Sequence, residues 1–199
     1  MTQIAYRFRG DNSPEFTIDI LQNYRLFCAE WGALNDPMEG TYDTLLIADE
    51  GKRSSAIERI YQEKVKLRIC SLSHSYKTHC MWAYYASDYR GVAIEIEFPD
   101  GVLRNVDYCS GSRVQSWVDK ANPYEIACDI LTKKHRDWDR EKEARLLHTG
   151  QFYQLQPHSI RRVILGSRIG DAFEQKIRRA AGGITVHKLT VRNGTLKAA

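Results

Sequence analysis

From Gly91 to Phe98 the sequence alternates. Val92, Ile94 and Ile96 fall to one side, Ala93, Glu95 and Glu97 to the other. Side chains two apart share a face of a strand, so this segment presents one apolar face and one mixed face. Such a strand needs neighbours to complete its hydrogen bonds and a layer to cover its apolar side. Val65–Ser73 repeats the pattern, with Val65, Leu67, Ile69 and Ser71 opposed to Lys66, Arg68, Cys70 and Leu72. Shorter runs at Ile4–Phe8, Tyr24–Cys28, Ala144–His148, Ile160–Leu165 and Ile184–Val191 supply further strands. Pro99-Asp100-Gly101 predicts a turn that brings Leu103–Tyr108 back as a hairpin partner.

Helical signals fall between these strands. Ser13 is placed as an N-cap with Pro14 at the first helical position, and Phe16, Ile18, Ile20 and Leu21 form a buried side ending near Asn23. Ser54–Lys64 is amphipathic, with Ile57, Ile60 and Tyr61 inward. Met81–Ala86 reads as a short buried helix, Pro123 opens another towards Trp138, and Asp171 begins a last one stopped by Gly182-Gly183. Ser110–Asn122 gives no clear period, and the tail after about Arg192 is expected to fray. The pattern predicts an α+β fold: one domain over residues 1–199, with a mixed or antiparallel central sheet and helices packed around it.

Charge and cysteine usage limit the function classes. The net charge is +4 over 199 residues, with basic residues interleaved among acids. This is not the concentrated basic patch of a nucleic-acid binder. Five cysteines without close pairs argue against a disulfide framework. No apolar run reaches the length of a bilayer span, and no secretory leader is expected. A reducing, cytoplasmic location and no membrane partner are the expectation.

The stretch Trp138-Asp139-Arg140-Glu141-Lys142-Glu143-Ala144-Arg145 carries the strongest chemical signal. Glu141 and Glu143 stand two apart ahead of a strand, where both carboxylates can enter one cleft and suit acid–base work or stabilisation of a cation. The same residues also read as a solvated charged turn. Arg7, between Tyr6 and Phe8, is placed to clamp a carboxylate or diphosphate, or to reach water from an edge strand. Ser71 and Ser73 end a strand, where hydroxyls orient a ligand or satisfy loop backbone. Trp82, Tyr84, Tyr85 and Tyr89 read as a stacking surface or as core. Cys70, His74, His79 and Cys80 have no familiar zinc spacing, so no metal is expected there.

Several motifs together resemble a widespread bacterial family known only as a domain of unknown function. They are Tyr6-Arg7-Phe8, Asn35-Asp36-Pro37-Met38-Glu39, Cys70-Ser71-Leu72-Ser73, Met81-Trp82-Ala83-Tyr84-Tyr85-Ala86, and Lys134 with Trp138-x-x-Glu141-x-Glu143-x-Arg145. More distantly, the order Arg7, Ser71/Ser73, Glu141/Glu143 resembles ADP-ribosyltransferases of the arginine–serine–glutamate type. That resemblance implies an ADP-ribosyltransferase-like fold with NAD as substrate. Glu143 would be the catalytic carboxylate and Glu141 its helper. Arg7 would hold the diphosphate, and Ser71 and Ser73 would steady the ribose or the glutamate. Tyr6, Asn35, Asp36, Trp82 and Tyr85 join the expected binding set. The implied protein is an NAD-consuming toxin or phage-defence effector, acting on a protein or nucleic-acid acceptor or on water, with an antitoxin as a possible partner. Two alternatives stand beside it: a non-catalytic nucleotide- or partner-binding module, and a metal-dependent nuclease using Asp36, Glu39 and Glu143.

Overall fold

Strand β1, Thr2–Arg9, runs down the middle of the molecule and pairs along its whole length with β5. The computed structural model describes residues 2–36, 39–40, 50–109 and 122–199, with only the backbone of 50–54. After β1 come helix α1 (Pro14–Asn23), β2 (Arg25–Phe27), β3 (Ala29–Glu30) and a 3-10 turn at Trp31–Ala33. Then follow α2 (Glu50–Lys66), β4 (Arg68–Ser73), α3 (His79–Tyr85), β5 (Val92–Pro99), β6 (Leu103–Asn105) and β7 (Asp107–Cys109). Helix α4 (Pro123–Ile130), β8 (Lys133–His135), a 3-10 turn (Arg136–Glu141), β9 (Glu143–His148) and β10 (Phe152–Gln154) lead to β11 (Ile160–Leu165). The chain closes with α5 (Asp171–Ala181), β12 (Thr185–Arg192) and β13 (Thr195–Ala198).

The main sheet is mixed, ordered β13-β12-β11-β5-β1-β4-β9-β6, with β3 on the side of β4. Among the described residues only β11 and β12 are parallel within it; their connection is helix α5. One face packs Ala5, Ile94, Ile96, Leu72 and Leu146 against Ile20 and Leu21 of α1 and Phe173 and Ile177 of α5. The other face packs Tyr6, Phe8 and Ala93 against Met81 and Trp82 of α3. A third cluster joins Ile60 of α2 and Ile126 and Ile130 of α4 to Leu67 and to Ile69 of β4. This is one mixed α/β domain with helices around a mixed sheet. Among the described residues no helix is long and apolar enough to cross a membrane.

The sheet parts between β1 and β4. Tyr6 stands opposite Ser73, and among the described residues the ladder goes no further. Below that point the two strands diverge, and Arg7 donates through Nη1 to the Ser71 carbonyl across the gap. The arginine thus satisfies a sheet-edge acceptor that has lost its strand partner.

Four expectations about element bounds and pairing need correction, and Tyr61, expected to face inward, is exposed. Val65 and Lys66 continue α2, so β4 starts at Arg68, and Val65 is exposed. The Leu103–Tyr108 segment does not pair with β5: Leu103 stands opposite Leu146, so β6 is an edge strand on β9. The helix from Pro123 stops at Ile130, before β8. The tail does not fray, because Asn193-Gly194 adopts positive φ at both residues and folds β13 back onto β12. That dipeptide is a strong two-residue hairpin signal. Most of Ser110–Asn122 lies outside the described residues.

Two glycines hold the sheet ends together. A Cβ at Gly91 would run into the Arg9 carbonyl and the Ala86 backbone, and one at Gly166 into the Tyr89 carbonyl. Gly91 N donates to Ala86 O at 2.7 Å and Gly166 N to Gly91 O at 2.8 Å. Gly91→Ala is expected to cost about 1–3 kcal/mol by overpacking. It should appear in urea unfolding as a lower midpoint with an unchanged slope; an unchanged midpoint would show that the crossing yields easily.

Candidate functional site

The gap between β1 and β4 opens into a cavity of about 460 Å³. Its lining draws on β1, β4, α3, the Asn35 turn and the Glu141–Glu143 segment. Lys134, Glu141 and Glu143 of its lining belong to a buried ionic cluster. Lys134 Nζ lies 3.2 Å from Glu39, 2.7 Å from Glu141 and 3.0 Å from Glu143. Arg145 reaches Glu39 at 3.0 Å and Glu143 at 2.8 Å, and it donates to the Leu131 carbonyl. These five side chains are almost wholly removed from solvent.

Local backbone geometry explains the convergence. Glu141 ends the 3-10 turn rather than sitting on a strand, and Lys142 takes a left-handed conformation (φ 48°) before Glu143 begins β9. The bend is pinned to the end of β4: Ser73 Oγ donates to Glu141 O at 2.6 Å, and His74 N donates to Lys142 O at 2.8 Å. Glu143 N donates to the Tyr108 hydroxyl at 2.6 Å. Tyr85 donates to Glu141 Oε1 at 2.6 Å, and Asn35 Nδ2 donates to the Tyr85 oxygen at 2.7 Å.

Charge states follow from this packing. Burial opposes ionisation of Glu143, but Arg145, Lys134 and the Ser71 hydroxyl outweigh it, so its carboxyl is held below the ordinary glutamate value. Burial pushes Glu39 up, with Arg145 and Lys134 offsetting only part. Burial works against the Lys134 ammonium, yet Glu143, Glu141 and Glu39 raise it above an ordinary lysine. Burial, with the nearby Glu141, likewise raises the Tyr85 phenol. Three carboxylates face two cations, and Glu39 is the one whose surroundings favour taking up a proton.

The structure brings most of the sequence-selected residues together. Tyr6, Arg7, Ser71, Asn35, Tyr85, Glu141 and Glu143 all line the cavity. Ser73 stands behind the wall, fully buried, and acts on Glu141 through its backbone. Asp36 is buried beside the site without lining it. Trp82 is 0% exposed and packs edge-on against Phe8, with its indole N–H on the Tyr76 carbonyl. It is a core residue, and a stacking role for it is corrected accordingly. Cys70, His74, His79 and Cys80 do not converge. His74 bonds Asn105, His79 bonds Tyr89 and the Gly194 carbonyl, and Cys70 is buried in the main core cluster. Among the described residues no group of histidine, cysteine and carboxylate side chains is arranged to hold a metal. The nuclease set is occupied from within, because Lys134 and Arg145 take oxygens of both Glu39 and Glu143.

Sequence reading misses Arg9, which lines the same cavity. The signal was present: it stands two residues after Arg7 on one strand, hence on one face. It also misses a second cavity of about 730 Å³, lined by Tyr84, Tyr108, Trp138, Arg136, Arg140 and Glu141 among others. Glu141 and Tyr84 belong to both cavities. No protein-family model, curated protein or solved structure matches the chain.

Lys134→Met leaves three buried carboxylates with Arg145 alone, and a loss of about 3–5 kcal/mol is expected in urea unfolding. The pH dependence has a definite sign. The Glu143 contribution is complete above the unfolded glutamate pKa and is lost as pH falls through its lower folded value. The Lys134 contribution is complete below the unfolded lysine pKa and is lost as pH rises through its higher folded value. The gap between wild type and Lys134→Met is therefore expected to be widest between about pH 5 and pH 9 and to narrow in acid. A constant gap down to pH 3 would place the effect in packing instead of charge.

Proposed function

We propose that the chain binds NAD in the β1–β4 cavity and breaks its nicotinamide–ribose bond, as an ADP-ribosyltransferase-like enzyme. The observation that supports this is the meeting of Arg7, Ser71, Glu141 and Glu143 around one cavity in the part of the sheet where β1 and β4 separate. Its volume lies in the range of small-molecule sites, roughly 300–1,000 Å³.

In this reading Arg7 binds the diphosphate, since a guanidinium offers paired donors to phosphate oxygens. Glu143 stays ionised at neutral pH because Arg145 and Lys134 hold it so. A fixed carboxylate beside the ribose stabilises the oxocarbenium-like state that forms as the C1′–N bond breaks and its electron pair leaves with nicotinamide. Ser71 steadies Glu143, while Tyr85 and Asn35 orient Glu141 towards ribose hydroxyls or the acceptor. The acceptor, a macromolecular side chain, a base or water, would reach Glu141 from the second cavity. Depletion of NAD or modification of a target in the cell would then make the protein a toxin or phage-defence effector.

A specific observation favours a second reading. Both oxygens of Glu141 and both of Glu143 already accept hydrogen bonds from Lys134, Arg145 or Tyr85. A site so fully bonded suits a nucleotide-binding module without turnover.

Incubation of the purified protein with NAD, followed by nicotinamide quantification, separates the two. Release is expected, falling about 10²–10³-fold in a folded Glu143→Gln variant. Thermal stabilisation by NAD without release would instead establish the binding module. Neither release nor stabilisation would remove NAD as the ligand.

A further inference from the structure

We propose that Arg9 joins Arg7 to form a built-in site for a phosphate or diphosphate group in the lining of the cavity. This deepens the reading of the same cavity, and only the identity of the rest of the ligand rests on NAD.

Arg7 and Arg9 share one face of β1 and both line the cavity. Among the described residues neither has a carboxylate partner. Among those residues Arg7 bonds only the Ser71 carbonyl, and Arg9 lies over the Phe16 ring at 5.4 Å. Arg9 Nε is buried and makes no hydrogen bond. Buried guanidinium donors normally find an acceptor, so an unpaired one on a residue that lines a cavity marks a place where an anion belongs. The repulsion is visible in Arg9 itself: Arg7 and then burial lower its pKa to about 9. The buried Cys70 thiol feels the same field. Its partner Cys28, then Arg7 and Arg9, pull its pKa down against burial.

The surroundings suit an oxyanion. Gly10, Asn12 and Ser87 also line the cavity. A side chain at Gly10 would collide with Ser87 Oγ and Asn12 Oδ1, so the backbone there stays bare. Ser87 Oγ accepts from Asp11 N at 3.3 Å, which leaves its hydroxyl hydrogen to donate. Ser87, Asp88 and Tyr89 all have positive φ (47°, 52° and 69°), an unfavourable run for residues with side chains. Strain of this kind collects around ligand sites. Lys134, Glu141 and Glu143 also line the cavity, so it offers paired carboxylates together with cations that have no carboxylate partner among the described residues. A ligand with an anionic group and a polar, cation-forming sugar matches that polarity.

The test uses inorganic pyrophosphate and the full chain, with orthophosphate and sulfate at equal ionic strength as controls. Pyrophosphate is expected to raise the melting temperature of the wild type. Arg9→Gln should weaken its binding about ten- to a hundredfold, as expected for loss of charge-assisted hydrogen bonds, while Arg9→Lys retains part. Without ligand, Arg9→Gln is expected to melt no lower than wild type, since it relieves the repulsion with Arg7. If Arg9→Gln does not fold, Arg9→Lys and the wild-type titration still decide. No pyrophosphate shift in wild type, or the same affinity in wild type and the Arg9 variants, overturns the site. Pyrophosphate binding that depends on Arg9, with no nicotinamide release from NAD, keeps the anion site and removes the proposed reaction.

Discussion

The structure turns on a sheet that comes apart. β1 is bonded to β5 from end to end, yet meets β4 only where Tyr6 stands opposite Ser73. A parted sheet exposes backbone donors and acceptors that ordinarily pair, and these groups must be satisfied or hydrated. Arg7 answers for Ser71 on one side. On the other, β4 is secured to β9 from Arg68 to Ser73, so the strand carrying the serines moves with the strand that Glu143 begins. The gap is thereby a cleft between two well-paired half-sheets.

The ionic cluster fixes how that cleft is furnished. Removing five charges from water is costly, and attraction among them repays the cost only with good geometry. Here each cation is shared: Lys134 among three carboxylates, Arg145 between two of them and a carbonyl. The shared bonds draw together Glu39, β8, the 3-10 turn and β9. Hydrophobic burial sets the sheet and its helices, while the polar network sets the angle at which the Glu141–Glu143 segment faces the cavity.

Local pattern in the sequence shows much of this and hides a definite part. The alternation at Val92–Phe98 and the Pro14 start of α1 are read correctly because they are local properties. Even so, Ser13 makes no side-chain cap bond, and Phe16 is 50% exposed beneath Arg9 instead of joining the core. The partner of β6 is not local: the turn at Pro99–Gly101 predicts β5, while Leu103 finds Leu146. Glu141 and Glu143 are visible as a pair, but strand geometry is the wrong reason for their meeting; the left-handed Lys142 and the bond from Ser73 do it. Lys134 is seven residues from Glu141 and nine from Glu143, and no periodicity reveals that its ammonium sits among all three acids.

Glu141 and Tyr84 are each part of two cavities, so only a single layer of side chains separates them. Glu141 is held in that layer by one phenol and one ammonium. A molecule that took over the Tyr85 hydroxyl would free one carboxylate oxygen and reshape the wall seen from the opposite side. The two chambers therefore share a wall in which Glu141 is tied by one phenol and one ammonium.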